Sequence, residues 1–393
     1  MSDNIVITSI ARTPMGGFQG ALAGASAVDL GAAAIAAAVA RSKLSADAVD
    51  EVIMGCVLPA GIGQAPARQA ALGGGLPLAT GCTTVNKMCG SGMKATMLAH
   101  DLLKAGTNRV MLAGGLESMS NAPYLLPKAR TGMRMGHGQV QDHMFLDGLE
   151  DAYDKGKLMG VFAENTADRY GFTREQQDSF AINSLRRAQR AIENGDFAEE
   201  ITPVVMSTRR GEVTVDTDEQ PFNANIDKIP GLRPAFRSDG TVTAANSSSI
   251  SDGAAALVLM REVEAARREL HPLAVIRAHA THAHEPAWFT TAPVGAIQKV
   301  LEATGWSVDE VDLFEINEAF AVVTMAAMTD LELDHAKVNV NGGACALGHP
   351  IGASGARILV TLISALQRRG LSKGVASLCI GGGEATAVAL ELV

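Results

Sequence analysis

The two ends of the chain resemble each other, and this repeat limits the possible folds more than any other feature. Three short stretches near the N-terminus recur near the C-terminus in the same order, at an offset of about 260 residues that grows slowly along the chain. The pairs are residues 49–52 with 308–311, 91–94 with 354–357, and 114–117 with 381–384. Chance can explain any one pair, but three pairs in order predict a duplicated unit of roughly 120 residues.

Each half contains a similar succession of strands and helices. In the first half the pattern predicts strands at 4–11, 51–57 and 109–114 and helices at 29–41 and 90–105. In the second half it predicts helices at 294–304 and 351–369 and strands at 311–316 and 375–380. Alternating strands and helices indicate an α/β architecture in which helices cover the sheets.

The middle of the chain interrupts this pattern. The stretches 123–127 and 131–138 are predicted excursions, and Thr173 with Gln176 forms the capping box of a strong helix. We interpret residues 120–248 as a loop domain inserted into the first half, acting as a lid or binding domain. Residues 1–119 and 249–270 then form the N-terminal core half, and residues 271–393 the C-terminal core half.

Composition and charge exclude several classes of protein. The net charge is −9 and no long basic stretch is present, which argues against nucleic acid as a partner. The apolar stretches are too short to span a bilayer, and the N-terminus lacks a signal-peptide pattern, so we expect no membrane and a cytoplasmic location. A hydrophobic content of 47% excludes disorder.

The five cysteines do not form a recognisable framework. None belongs to a C-x-x-C pair and their number is odd, so a disulfide scaffold is not expected. The His and Cys residues show no ligand spacing, and no zinc or other metal site is predicted. Cys56, Cys82 and Cys345 are interpreted as small buried hydrophobes, and His282 with His284 as part of a solvated loop.

Cys89 lies in the segment Asn-Lys-Met-Cys-Gly-Ser-Gly, between a strand-like stretch and a helix. The positive end of the helix dipole favours a thiolate at such a position, and the glycines permit a ligand to approach closely. Backbone N–H groups nearby would stabilise an oxyanion. The segment predicts a nucleophile, and the alternative is an inert cysteine buried in a glycine-rich turn.

Three further segments contain candidate catalytic groups. His349 lies between Gly348 and Pro350, where a histidine can act as the base for a thiol, although a lone histidine is more often structural. Cys379 ends a buried strand before three glycines and is a candidate acid or base, or else a core cysteine. Asn317 follows a strand and can orient a water or polarise a carbonyl, or else cap a helix.

Together these segments resemble the signature blocks of the thiolase family, in the family's order. The blocks are Asn-Lys-Met-Cys-Gly-Ser-Gly, Asn-Glu-Ala-Phe, Gly-His-Pro-Ile-Gly and Cys-Ile-Gly-Gly-Gly, and residues 115–120 and 240–248 resemble two more. The resemblance covers essentially the whole chain. It implies a duplicated five-layer α-β-α-β-α core with an inserted loop domain.

The resemblance also implies roles for individual residues. Cys89 would be acylated, His349 would activate it, and Cys379 would exchange the α-proton of a second acyl-CoA. Asn317, through a water, and His349 would form one oxyanion hole, and the N–H groups of Cys89 and Gly381 the other. The residues implied to contact substrate are Ser248, near the pantetheine arm, and Met159, Ala319 and Phe320.

The sequence therefore predicts an acyl-CoA C-acyltransferase that interconverts two acetyl-CoA with acetoacetyl-CoA and CoA through an acyl-cysteine. No cofactor beyond the CoA thioesters is expected, and a homotetramer built as a dimer of dimers is implied. The alternatives are a thiolase for longer 3-ketoacyl-CoA, a ketoacyl synthase and a non-catalytic acyl-CoA-binding protein. A nucleotide-binding oxidoreductase is disfavoured because no G-x-G-x-x-G follows the first strand.

Two positions depart from many biosynthetic thiolases. Leu158 stands where those enzymes have histidine, and Gln220-Pro221-Phe222 follows an acidic stretch where they often have arginine. In the family both positions lie near the CoA site, so they bear on the binding of the nucleotide end and on acyl-chain preference.

Overall fold

Strands and helices alternate along the chain as the sequence predicts. The computed structural model describes residues 4–209 and 211–393. The strands are β1 (Ile5–Arg12), β2 (Gly16–Gly17), β3 (Glu51–Gly55), β4 (Gly81–Val85), β5 (Val110–Ser118), β6 (Tyr124–Leu125), β7 (Gln141–Asp142), β8 (Val204–Thr208), β9 (Gly211–Val215), β10 (Ser251–Arg261), β11 (Ala274–Ala283), β12 (Leu313–Ile316), β13 (Lys373–Ile380) and β14 (Glu384–Leu392). The helices are α1 (Ala27–Ser42), α2 (Pro66–Gly73), α3 (Ser91–Lys104), α4 (Met159–Tyr170), α5 (Arg174–Glu193), α6 (Gln220–Asn223), α7 (Glu262–Arg267), α8 (Ala292–Thr304), α9 (Ala321–Asp330), α10 (Ala344–Leu347) and α11 (Ser354–Arg369).

The two halves of the large sheet repeat the same strand order. The first half reads β4-β3-β5-β10-β1 and the second β12-β13-β14-β11. In each half a parallel pair, β3 with β5 or β12 with β13, is followed by antiparallel neighbours, and β4 adds a second parallel pair with β3 in the first half. The second half reduces the counterpart of β4 to a single bridge between Phe314 and Val338. The predicted duplication is therefore confirmed in the topology.

The two half-sheets, together with the helices that separate and cover them, form five layers. Helices α1 and α2 pack on the outer face of the first half, α3 and α11 lie between the halves, and α8 covers the outer face of the second. Successive side chains of β1 point to opposite faces of the sheet. Ile5 and Ile7 pack in the middle layer and Val6 packs in the outer layer, so both faces of the strand are buried and apolar. The half-sheets join at their edges, where β1 pairs with β11.

Two glycines at equivalent places in the repeat let the central helices approach each other. A Cβ on Gly92 would lie 2.9 Å from the backbone nitrogen of Ala356, and one on Gly355 would lie 2.5 Å from that of Met93. Any larger residue would force α3 and α11 apart at their N-terminal ends. The segments that precede these helices, which contain Cys89 and His349, are thereby brought to one place.

The inserted region follows the prediction in outline. Residues 124–140 are mostly exposed, and the Thr173–Gln176 capping box of α5 is present. The domain boundaries after residues 119, 248 and 270 remain a prediction. Within residues 4–209 and 211–393, no helix combines the length and the apolar character needed to cross a bilayer.

Three sequence-based interpretations are wrong. His282 does not lie in a loop, because it belongs to β11, where Ala280 and Thr281 pair with β14 beside it, and it is half-buried. Cys82 is not a buried hydrophobe, because β4 is an edge strand and leaves the residue partly exposed. Cys345 is likewise only partly buried, whereas Cys56 is buried as expected.

Candidate active site

A cleft of about 390 Å³ opens at the N-terminal ends of α3 and α11. Eight of the nine predicted site residues line it: Cys89, Met159, Ser248, Ala319, Phe320, His349, Cys379 and Gly381. Asn317 lies directly behind His349. The inserted region supplies part of the wall, including Met159, Phe236 and Ser248. Leu158, one of the two departures from the family pattern, also lines the cleft.

A constrained turn presents Cys89 to this cleft. Met88 adopts a left-handed backbone with φ of 47°, which is uncommon for a residue with a side chain. The Oδ1 of Asn86 accepts the Met88 N–H at 2.9 Å, and the Ser91 hydroxyl accepts the Lys87 N–H and donates to the Met88 carbonyl. These local hydrogen bonds hold the turn that precedes α3.

The thiol of Cys89 is not pre-ionised, contrary to the expectation from the helix dipole. Burial raises its pKa to about 11, although hydrogen bonds from the backbone of Gly381 and of Cys89 itself act in the opposite direction. Loss of hydration outweighs those N–H groups because an ionised sulfur in an apolar cleft has few other polar partners. Attack by Cys89 therefore requires a base.

The glycine run after β13 directs one of those N–H groups. Gly382 and Gly383 have φ values of 95° and 87°, which lie in the left-handed region. A Cβ on Gly383 would lie 2.4 Å from the His284 carbonyl oxygen. Lys87 forms an ion pair with Glu384, which fastens the nucleophile's turn to this hairpin. The glycines form the turn between β13 and β14 beside the Cys89 sulfur.

His349 has the protonation state that a base for the thiol requires. Its Nδ1 lies 2.5 Å from the Ser354 hydroxyl, which itself donates to the Pro350 carbonyl at 2.9 Å. The Ser354 oxygen therefore accepts the Nδ1–H, and Nε2 keeps its lone pair. Among the residues that the structure describes, none hydrogen-bonds to the buried Nε2. Burial and the nearby positive charge of Arg357 lower the pKa of His349 to about 3, so the ring is neutral.

Ser354 is a positioning residue that the sequence analysis missed. Ser354→Ala should slow acylation of Cys89 by roughly 10–100-fold, because the tautomer with a free Nε2 is no longer selected. Ser354→Thr retains a hydroxyl and should recover most of the rate. Stopped-flow acylation with acetyl-CoA measures the effect, and thermal melting separates it from a loss of folding. Equal rates for the alanine variant and the wild type would contradict this role.

Asn317 and Cys379 complete the polar part of the cleft. The side-chain nitrogen of Asn317 is 3.5 Å from Nδ1 of His349, and its Oδ1 is buried without a partner among the described residues. Cys379 is buried, and burial together with the neighbouring Cys89 raises the pKa of its thiol well above the usual range. A thiol with a high pKa is protonated at rest, and its thiolate, once formed, is a strong base for an α-proton.

Glu117 is a second group that the analysis of single residues missed, although it lies in the Gly-Leu-Glu-Ser block. Its buried carboxyl accepts the N–H groups of Val57, Leu58 and Gly352. Burial raises its pKa to about 7. The three acceptor contacts join the loop after β3 to the segment between His349 and α11, which places both walls of the cleft.

Apolar side chains enclose the space around Cys379. Met159, Phe236, Phe289 and Phe320 pack in one cluster with it, and the Phe236 and Phe320 rings meet edge to face at 5.9 Å. The backbone N–H of Ser248 donates to the Ala319 carbonyl at 2.9 Å, which joins the inserted region to the second half beside the cleft. Such a dry wall strengthens electrostatic interactions with reacting groups.

A duplicated five-layer core around a cleft with a cysteine, a histidine and a second cysteine defines an acyl-transferring enzyme. Family models described as "Thiolase, N-terminal domain" and "Thiolase, C-terminal domain" match residues 5–263 and 270–392. The chain belongs to the thiolase family.

Relatives in the family are similar to this chain over their full length. The chain is 52% identical to an acetyl-CoA acetyltransferase of Escherichia coli (99% of this chain, 99% of the relative). It is 50% identical to one of Pseudomonas aeruginosa (98% and 99%). The crystal structure of the Bacillus anthracis acetyl-CoA acetyltransferase superposes with a TM-score of 0.97, at 43% identity, over 100% of this chain and 99% of that one.

Proposed function

We propose that this enzyme is an acetyl-CoA acetyltransferase, which interconverts two acetyl-CoA with acetoacetyl-CoA and CoA. The observation that carries the proposal is the convergence of Cys89, His349 and Cys379 in one apolar cleft that Gly381 also lines, with a free histidine Nε2. The names of the full-length relatives agree with it.

In the first half-reaction the Cys89 sulfur attacks the thioester carbonyl of acetyl-CoA. His349 takes the thiol proton on Nε2 and returns it to the departing CoA thiolate. The N–H groups of Cys89 and Gly381 stabilise the oxyanion of the tetrahedral intermediate. A base is needed at this step because burial raises the pKa of the Cys89 thiol to about 11.

In the second half-reaction Cys379 passes its thiol proton to Nε2 of His349, and the resulting thiolate takes an α-proton from a new acetyl-CoA. Asn317, through a water, and the protonated Nε2 of His349 stabilise the enolate oxygen while the enolate carbon attacks the acetyl group on Cys89. Cys89 leaves as a thiolate and takes the proton back from His349, the α-proton stays on Cys379, and acetoacetyl-CoA is released. Protein groups supply the nucleophile, the base and the N–H donors, so this chemistry requires no cofactor other than the CoA thioesters.

The apolar walls of the cleft favour a substrate with a short acyl chain. Phe236, Phe289 and Phe320 with Met159 close the space next to Cys379, where a longer chain would extend. The second candidate, a thiolase for longer 3-ketoacyl-CoA, would need this cluster to open.

Mass spectrometry and kinetics together test the proposal. Incubation with acetyl-CoA should add one acetyl group to Cys89, and thiolysis should be at least about 10-fold faster with acetoacetyl-CoA than with a longer 3-ketoacyl-CoA, because one surplus methylene in a tight pocket already costs that much. A protein that binds acetyl-CoA without a covalent adduct would be a non-catalytic binder. A preference for the longer substrate would support the second candidate.

We also propose assembly as a homotetramer, a dimer of dimers. The supporting observation is strand β4, which has β3 as its one neighbour among the described residues and presents its other edge to solvent. Exposed apolar residues of the excursion, including Tyr124, Met135 and Val140, offer a second surface. Sedimentation at micromolar concentration should give a species near four times the chain mass of 40.8 kDa. Detection of monomer alone would contradict this.

The cytoplasmic location remains a prediction.

A further inference from the structure

A second cluster of chemically active side chains lies where the two halves meet. His100 and Asp101 belong to the last turns of α3, and His279 belongs to β11 of the second half. Asp101 and His279 are 178 positions apart in the chain. No local sequence spacing connects them, which is why the sequence predicted no metal ligands here.

Three atoms of this cluster point at one another. Nδ1 of His100 lies 3.0 Å from Oδ1 of Asp101 and 3.1 Å from Nε2 of His279, which lies 2.9 Å from the same Oδ1. With neutral rings, protons can satisfy at most two of the three contacts, because each ring nitrogen either donates or accepts and the carboxylate only accepts. One contact always brings two lone pairs or two N–H groups together.

We propose that His100, Asp101 and His279 bind a zinc ion. A cation between the three atoms would use every lone pair at once. Tetrahedral zinc holds imidazole nitrogen and carboxylate oxygen at about 2.0–2.2 Å, which separates its ligands by about 3.3 Å. The triangle therefore needs to open by only a few tenths of an ångström.

The surroundings of the triangle favour this class of metal. Two imidazoles and one carboxylate suit zinc and similar transition ions, whereas magnesium and calcium prefer oxygen ligands alone. The histidine side chains are 17% exposed and Asp101 is 54% exposed, so a water molecule can reach the fourth position.

The location indicates what the ion would do. His100 lies nine residues beyond Ser91, so the site is roughly 14 Å along α3 from the end that adjoins Cys89. Zinc there cannot enter the acyl-transfer chemistry. It would connect the helix that follows the nucleophile to a strand of the other half, and so stabilise the contact between the halves.

Calorimetric titration with zinc chloride tests the proposal. The protein is first alkylated with iodoacetamide, so that the thiols of the cleft cannot bind the metal. We expect one zinc per chain. Because these residues are direct ligands, His279→Ala and Asp101→Asn should each weaken binding by more than the roughly 10–100-fold lost with an outer-shell partner. His271→Ala removes an exposed histidine elsewhere and should bind zinc like the wild type.

Thermal melting provides the second measurement. Zinc in excess should raise the melting temperature of the alkylated wild type and of His271→Ala, and should leave that of His279→Ala unchanged. The melting temperatures without zinc show that each variant folds. The proposal is overturned if the alkylated wild type binds no zinc, or if His279→Ala and Asp101→Asn bind it as tightly as the wild type. Neither result depends on the proposed acyltransferase activity.

Discussion

Cys89→Ala should abolish acyl-enzyme formation and every later step, whereas Cys379→Ala should still be acetylated by acetyl-CoA. The first half-reaction needs the Cys89 sulfur, the free Nε2 of His349 and the N–H of Gly381, and none of these requires the Cys379 thiol. Condensation needs a group that removes the α-proton of the second acetyl-CoA. Loss of a positioned base should slow that step by about 10²–10⁴-fold.

The pKa values of the two thiols explain why these roles are separable. Burial raises the pKa of the Cys89 thiol, and the backbone N–H groups of Gly381 and Cys89 act against burial and so favour a developing negative charge on the sulfur. Cys379 is more deeply buried, and a charge on Cys89 raises its pKa further. Acylation of Cys89 removes the possibility of a second charge beside Cys379, so a Cys379 thiolate is then less disfavoured, although burial still opposes it. Acylation first and proton transfer second is the order that this electrostatic coupling predicts.

Separate assays of the two half-reactions measure this division. Acetyl-enzyme is quantified by mass spectrometry of the intact protein, and condensation by the formation of acetoacetyl-CoA. Cys82→Ala, on the edge strand away from the cleft, is the matched control and should retain both activities. If folded Cys379→Ala loses acetylation completely, Cys379 is not a dedicated proton-transfer group, and the assignment made here is wrong.

The repeat explains how much of the fold the sequence reveals. Matching residues 91–94 with 354–357 implied that α3 and α11 are equivalent, and their glycines turned out to set the distance between the two helices. Strands β11 and β14 were not predicted. Both are rich in alanine, a poor strand former, and they become strands because neighbours on each side supply hydrogen bonds.

The site shows a different limit of sequence reasoning. Motifs indicated which residues line the cleft, and the structure brings Cys89, His349 and Cys379 together from distant parts of the chain. The ionisation state of Cys89 was predicted wrongly, because a helix dipole is visible in a sequence and the depth of burial is not. Ser354 escaped notice because its role depends on a 2.5 Å contact to one ring nitrogen of His349.

His349→Asn should slow both half-reactions, in contrast to either cysteine variant. In the proposed mechanism the ring is the base for Cys89 and also stabilises the enolate that forms from the second acetyl-CoA. Asparagine cannot accept the thiol proton, so acetylation should fall by about 10²–10⁴-fold and condensation by at least as much. The two assays described for the cysteines measure the two losses independently.

The same substitution should change how stability depends on pH. The pKa of His349 is lowered from 6.5 to about 3 in the folded protein. Between these values the unfolded chain binds a proton that the native state does not, so stability rises with pH in this window and is lost as the pH falls below 6.5. At pH 5 the loss amounts to about 2 kcal/mol. His349→Asn has no such proton to bind and should lack this part of the pH dependence.

Urea unfolding at pH 7 and pH 5 compares the wild type, His349→Asn and His271→Asn, in which an exposed histidine is replaced as a control. Between pH 7 and pH 5 the free energy of unfolding should fall by about 2 kcal/mol more in the wild type and in the control than in His349→Asn. If the three proteins lose equal stability, His349 is not held neutral by its surroundings. A neutral ring is what leaves Nε2 free to take the Cys89 proton, so that result would remove the physical basis for His349 as the base even if its substitution stopped the reaction.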